Sequence, residues 1–348
     1  MEPTIGYYLP CKKYYKLHFE QFLILCKRAQ IKTIEINDDY FNSIHSQSPP
    51  NIIVHKLTDI LCREVLNDDK MAHQFLEKFR QMKGRTIMID NLESISQLLN
   101  RHVQYSLLKE IQTIYVPPFI SITDEFTAND CQKIQQLLTN NNIQYPIICK
   151  PIQAHGSESH NMKIIFDSSH LIDIQYPCIL QQFINHDGIL FKIFLVGIND
   201  DNFYIVKRSS IRNFTITQSL ETISFHSSEV SSTQACSNLN NGEDIIVDGI
   251  TIDNERIKEL VRLIKKKFEL NLLGIDVIIN CQTQQYAVID VNYFPGYEGM
   301  KDFNQQLFNL CENILNEQSL QLKSHLNKTI FKNNSVSLMK IQSSKIIY

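Results

Sequence analysis

The sequence predicts an α/β protein built from three successive α/β units, and three observations carry that expectation. Short apolar runs alternate with amphipathic stretches through the first half of the chain. Two longer runs, Leu272 to Asn280 and Tyr286 to Asn292, face one another across a short turn, each with one apolar and one polar face. Finally, 348 residues, 43% hydrophobic and 20% charged, suffice for two or three packed units with a sizeable core.

In chain order, Ile5 to Leu9 reads as a strand and Tyr14 to Ala29 as a helix, with apolar recurrence at Leu17, Phe22, Leu25 and Cys26. Ile31 to Ile36 and Ile52 to Val54 are two further strands, closing a first unit (residues 1–92) near residue 90. A helical stretch over Leu92 to Ile111 ends before Pro117-Pro118 and opens a second unit (93–188), with strands at Tyr145 to Lys150 and Cys178 to Phe183. The third unit (189–318) starts on the apolar run Ile189 to Val196. It carries a polar stretch, Ser224 to Asp244, that reads as a long loop or mobile lid, then a charged helix over Asn254 to Leu270. The tail, 319–348, is rich in Ser, Lys and Asn and is expected to be ordered only in part. Ala235 to Asp248 matches no pattern and is expected to alter a surface loop.

Composition excludes several classes. A net charge of −3 sets nucleic acid aside as the main ligand, because such proteins are basic overall. Nine singly scattered cysteines, with no C-x-x-C, argue against a disulfide framework or a structural zinc site. No apolar run approaches the ~18 residues of a membrane span, and Met1 to Pro10 has no signal-like core. The expected location is cytoplasmic and the default state a monomer. Neither G-x-x-x-x-G-K-[ST] nor G-x-G-x-x-G occurs, which sets aside P-loop enzymes, dinucleotide-binding dehydrogenases and protein kinases.

The hairpin carries the chemistry. With its loop centred on Thr283, Asp276 lies opposite Asp290. Leu273, Ile275, Val277, Ile279, Ala287, Ile289 and Val291 then form one apolar face, and Gly274, Asp276, Asp290 and Asn292 share the other. Opposed carboxylates destabilise a sheet unless a cation lies between them. Oxygen-only ligands favour Mg²⁺ over zinc, and magnesium held by few carboxylates completes its shell with nucleotide phosphates.

A two-carboxylate-plus-Asn hairpin after three α/β units resembles the ATP-grasp architecture, in which the nucleotide is held between a central and a C-terminal lobe. More specific matches are Val54-His-Lys-Leu-Thr-Asp59, Ile148-Cys-Lys150, Ala154-His-Gly-Ser-Glu-Ser-His160, Gln181-Gln-Phe-Ile-Asn-His186 and Asp290-Val-Asn-Tyr-Phe-Pro-Gly-Tyr-Glu-Gly299. Together and in this order they resemble the inositol 1,3,4-trisphosphate 5/6-kinase family, over roughly residues 5–315. The resemblance implies a Rossmann-like N-terminal α/β domain ahead of two α+β lobes.

It also implies roles. Lys150 and Arg101 would contact the ATP phosphates. Gln181, Gln182, Phe183 and Ile184 would form the interlobe strand at the adenine, the Gln amide included. Ser210, Ser227 and Ser231 would lie near the nucleotide. Lys13, Lys56, His160, Lys192, Asn292 and Gly296 would receive the inositol phosphate, with Lys12 and Arg212 assisting and Gly296 permitting close backbone approach. Two Mg²⁺ ions would divide among Asp276, Asp290 (bridging) and Asn292, and Lys150, Lys192 and Arg208 would stabilise the moving phosphoryl group. No side chain stands out as a general base. The partners implied are ATP/ADP and soluble inositol tris- and tetrakisphosphates: the 1,3,4-trisphosphate at the 5 or 6 position, the 3,4,5,6-tetrakisphosphate at position 1. Reverse transfer to ADP is also implied. The alternatives are an ATP-grasp carboxylate–amine ligase and a non-catalytic inositol phosphate receptor, the latter disfavoured by retention of both aspartates.

Overall fold

The structure, a computed structural model, describes residues 2–43, 48–197, 202–215, 221–231, 237–240 and 252–320. Its strands form three sheets. The first is wholly parallel, in the order β2-β1-β3-β4: β1 is Thr4–Tyr8, β2 Lys32–Glu35, β3 Ile52–His55 and β4 Ile87–Ile89. Strand β3 is buried at every position, as a central parallel strand covered on both faces must be. Gly6 on β1 has no room for a side chain, since an added Cβ would meet Ile36 at 2.9 Å and Ile53 at 3.1 Å.

The second sheet is antiparallel, β11-β7-β6-β8-β5, with β5 Phe119–Ile122, β6 Ile147–Pro151, β7 Asn161–Ile165, β8 Cys178–Gln182 and β11 Ile223–His226. The third, also antiparallel, is β10-β9-β12-β13, with β9 Ile189–Val196, β10 Phe203–Ser209, β12 Leu272–Ile279 and β13 Tyr286–Tyr293. The amphipathic helix Asn254–Phe268 buries Ile257, Leu260, Val261, Ile264 and Phe268 in a core shared with the first unit.

Three expectations change. The helix expected over Tyr14 to Ala29 is two, Cys11–Lys16 and Glu20–Arg28. The break lies at His18, in the left-handed region (φ 48°), and the Asn304 amide donates to the carbonyls of Leu17 (3.0 Å) and His18 (3.2 Å). That cap comes from nearly 300 residues away, so local periodicity could not show it. The helical stretch over Leu92 to Ile111 likewise divides into Leu92–Ser96 and Arg101–Lys109, the second capped by Asn100. And the start of the expected loop at Ser224 is strand β11 followed by a helical turn, Ser227–Ser231. The rest of that stretch is described only at 237–240, and the tail beyond 320 lies outside the described residues.

The first unit is bolted to the third by buried polar contacts. Asp90 accepts from the Asn271 backbone (2.8 Å), the Asn271 side chain (2.7 Å) and the Leu272 backbone (3.0 Å). The Tyr293 hydroxyl reaches the carbonyls of His55 (2.9 Å) and Ile89 (2.8 Å) and accepts from the Asp90 N–H (3.0 Å). Tyr293→Phe leaves those groups unpaired in a dry site, so it is expected to cost ~1–3 kcal/mol in urea unfolding with an unchanged m value. A cost near zero would show that this contact does not hold the units together.

Candidate functional site

The site grows from one row of the third sheet. Strand β12 lies between β9 and β13, and its Asp276 is paired in register with Lys192 on one side and Asp290 on the other. The expected opposition of the two aspartates is therefore present, but the register slips at the next residue. Val277 pairs with Val288, so a bulge falls at Ile289. Ile289 consequently leaves the apolar face assigned to it and lines the cleft beside Asp290.

The row is electrostatically incomplete. Lys192 reaches Asp276 at 3.5 Å, while among the described residues Asp290 receives the Asn292 amide on Oδ2 (3.2 Å). Asp290 Oδ1 is buried with no partner among the described residues. Burial raises the proton affinity of Asp276; Lys192 opposes this and the Asp290 charge adds to it. A buried acceptor facing a second carboxylate fits a hard cation, with two carboxylates and an amide oxygen as its protein ligands. Among the described residues no cluster of three or more His, Cys, Asp or Glu surrounds a common point, so further ligands would be phosphate and water oxygens.

Two cavities meet at this row. The first, about 310 Å³, is walled by Arg101, Ile148, Lys150, Arg208, Ser210, Ser227, Ser231, Ile289 and Asp290, among others. The second, about 430 Å³, is walled by Lys12, Lys13, Lys56, His155 and the segment Tyr293 to Gly296. They share Lys16, Ala154, His160, Lys192, Asp276, Asn292 and Glu298, so the acidic row forms the floor of their junction.

Lys150 sits on β6 with only 5% exposure. It donates to Gln181 Oε1 (2.7 Å), Tyr105 Oη (3.1 Å) and the Ile289 carbonyl (3.2 Å). Burial pushes its ammonium down to about 8, with the Asp290 charge acting the other way. The Gln104 side chain clasps Val291 on β13 through both backbone groups, at 2.7 and 3.0 Å. Helix Arg101–Lys109 thus holds β13 and the lysine strand β6 together.

Arg101 is 2% exposed, and its guanidinium donates to the carbonyls of Pro151 (2.6 Å), Gln153 (2.8 Å) and Ser159 (3.1 Å). It lines the first cavity while fixing the loop that carries His155 and His160. The interlobe strand differs from expectation in its side chains. The Gln181 side chain accepts from Lys150 (2.7 Å) and donates one N–H to the Pro117 carbonyl (3.2 Å), so its amide is oriented by the protein. Neither it nor Gln182, Phe183 or Ile184 lines the first cavity. Gln182 binds the Gln144 N–H (3.2 Å), Phe183 packs against Phe214, and Ile184 packs with Leu190, Ile278 and Ala287.

Ser210, Ser227 and Ser231 do line it. Ser210 hydrogen-bonds buried His186 (2.8 Å), and Ser227 meets His160 (3.0 Å). Arg208 projects from β10 and donates to the Glu298 carbonyl at 2.8 Å.

In the second cavity, Lys13 donates to the carbonyls of Phe294 (2.7 Å) and Pro295, and Lys56 to that of Tyr293. Burial lowers both, Lys13 well below the usual lysine range and Lys56 to about 7. Arg212, expected to assist, lines neither cavity and lies over Phe214. Gly296 lines the second cavity, and a Cβ added there would fall 2.4–2.6 Å from the Glu298 carboxylate. Sequence reasoning missed Lys16, His155 and Glu298. The first is one helical turn from Lys13, and the other two lie inside motifs already quoted.

A family model described as the inositol 1,3,4-trisphosphate 5/6-kinase ATP-grasp domain matches residues 108–313, and the pre-ATP-grasp domain of the same family matches 4–95. Inositol-tetrakisphosphate 1-kinase of Danio rerio is 35% identical over 323 residues, covering 90% of this chain and 79% of the relative. Inositol-tetrakisphosphate 1-kinase 1 of Arabidopsis thaliana is 28% identical, with 87% and 92% covered. Among solved structures, macrocyclase MdnC bound to precursor peptide MdnA from Microcystis aeruginosa MRC superposes with a TM-score of 0.56 at 12% identity, covering 89% of this chain and 99% of that one. D-alanine–D-alanine ligase from Bacillus anthracis, complexed with ATP, gives 0.51 at 14% identity, with 93% and 99% covered. At such identities these two bear on the fold alone, which is ATP-grasp.

Proposed function

The chain belongs to the inositol 1,3,4-trisphosphate 5/6-kinase family, and we propose that it transfers the γ-phosphoryl group of ATP to a ring hydroxyl of soluble inositol tris- and tetrakisphosphates. The observation that carries this reading is the junction of the two cavities. One side presents opposed carboxylates with a buried oxygen that has no partner among the described residues; the other presents Lys12, Lys13, Lys16 and Lys56. A multiply phosphorylated ring needs converging cations, whereas a carboxylate–amine ligase substrate does not.

Asp276, Asp290 and Asn292 would hold the magnesium ions, two in number by the family resemblance, which when bound neutralise charge on the triphosphate oxygens. The chain's own groups do the rest. Lys150 and Arg208 place fixed positive charge along the first cavity, and Lys192 stands at the junction, where charge on the transferred group is greatest. Lys13, Lys56 and His160 orient the ring, and the protein acts as a monomer.

Incubation with γ-labelled ATP, Mg²⁺ and a panel of inositol tris- and tetrakisphosphate isomers is expected to give a labelled inositol phosphate. Absence of label from every isomer would overturn the reading. Under a ligase mechanism, hydroxylamine would instead trap a hydroxamate from a carboxylate substrate.

A further inference from the structure

Among the described residues, two carboxylates line both cavities: Asp276, which belongs to the acidic row, and Glu298, which does not. Both cavities are suited to polyanions, so a carboxylate between them is repelled by its own ligands unless it meets a hydrogen-bond donor. The donor an inositol polyphosphate brings is a free hydroxyl.

Glu298 is held in place from several directions. Its carbonyl accepts from Arg208 at 2.8 Å. The preceding residue, Tyr297, is in the left-handed region (φ 53°) and anchored by its hydroxyl on the Leu195 carbonyl at 3.1 Å. The carboxylate pairs with Lys16 and folds back over Gly296, filling the space a Cβ there would need. It keeps 40% side-chain exposure, open to the cavity and to water.

The other polar groups shared by the two cavities are committed differently. Lys16 and Lys192 are cationic donors. The Asn292 amide donates to Asp290, and His160 Nδ1 is bonded to Ser227.

We propose that Glu298 accepts the hydrogen bond of the inositol hydroxyl that is phosphorylated and takes its proton. The hydroxyl oxygen forms its bond to the γ-phosphorus while the bond from that phosphorus to the oxygen bridging to ADP breaks. The electron pair departs with ADP, the hydroxyl proton passes to a Glu298 Oε, and water removes it from the exposed side. This role rests on the kinase reading above and supplies the acceptor that reading lacks.

The charged groups facing Glu298 are Lys13 and Lys16 from the first helix, Lys192 from β9 and Arg208 from β10. Burial works to raise its proton affinity, but the Lys16 hydrogen bond and charge, with Lys192, outweigh burial and hold it below the ordinary glutamate range. It is therefore ionised near neutral pH, as an acceptor must be.

The test is the pH profile of kcat for the full chain with ATP, Mg²⁺ and an inositol polyphosphate substrate. Glu298→Gln keeps the shape and is expected to lower kcat by ~10²–10⁴ and abolish the acid limb, with KM for ATP unchanged. Gly296→Ala displaces the carboxylate without altering its chemistry, so it should lower kcat in the same direction. The double variant should be no worse than the poorer single one. Lys16→Met should move the acid limb to higher pH rather than remove it.

A Glu298→Gln enzyme with near-normal kcat, or one that loses activity with its acid limb intact, would overturn the proposal and leave Glu298 a loop-ordering residue. Lack of turnover by the wild-type chain on every isomer would overturn the kinase reading instead.

Discussion

Asp290→Asn is expected to abolish phosphoryl transfer while leaving the chain folded. Asp290 lies in register with Asp276, carries a buried oxygen that has no partner among the described residues, and lies in the cavity that also holds Lys150. Removing its charge forfeits most of the metal's stabilisation of the transition state, several kcal/mol, and so lowers kcat/KM by ~10³ or more. Stability should move the other way. Without magnesium the two carboxylates repel, and the Asp290 charge helps raise the proton affinity of Asp276. The asparagine variant is therefore expected to melt no lower than the wild type in EDTA and to lose the rise in melting temperature that Mg²⁺ and a non-hydrolysable ATP analogue give the wild type. Near-normal turnover, or an undiminished Mg²⁺-dependent rise, would remove Asp290 from the metal site.

How much of this was legible beforehand depended on whether a feature is local. The hairpin was, because two runs with period-two alternation and a five-residue turn leave one sensible register, and Asp276 does face Asp290. The bulge was not, because alternation assumes one residue per step on both strands. Ile289 consequently moved from the expected core face to the cleft, where its carbonyl receives Lys150 and Tyr105.

Lys150 and Gln181 show a second limit. Each stood in a recognisable motif, but their 2.7 Å bond to one another arises from strand pairing between β6 and β8. That pairing makes the Gln181 amide a holder of the lysine, and neither motif alone reveals it. Glu298 shows a third. Its motif was read for the backbone freedom of Gly296, and the carboxylate that lies in the space beside the glycine was passed over. Sequence spacing conveys which residues are near in the chain and says little about which side chain fills a neighbour's missing Cβ.

The second large effect concerns Lys56, where binding is expected to be coupled to protonation. Lys56 follows the wholly buried strand β3, with its ammonium against the Tyr293 carbonyl and ring. Burial, opposed by Asp59, pushes it down to about 7. At pH 8 the free protein therefore holds this lysine largely neutral, and a polyphosphate must draw a proton onto it to gain the ion pair.

Calorimetric titration of the wild type with an inositol polyphosphate at pH 8, in buffers of differing ionisation enthalpy, is expected to show proton uptake. Lys13, shifted in the same direction by burial, would add to it. Lys56→Met should remove close to one proton of that uptake and weaken binding ~10–100-fold, the worth of one charge-assisted hydrogen bond, with ATP affinity unchanged.

The same lysine sets a slope in stability. Its folded value lies below the ordinary 10.5, so the unfolded chain binds more protons between about pH 7 and 10.5. The free protein should accordingly gain stability from this group as pH rises through that window. The methionine variant should flatten the slope and be more stable than the wild type below pH 7, where the wild-type chain carries a desolvated charge. Uptake that persists undiminished in Lys56→Met, or a slope of the opposite sign lost with the lysine, would show that this ammonium is already solvated and charged in the free protein.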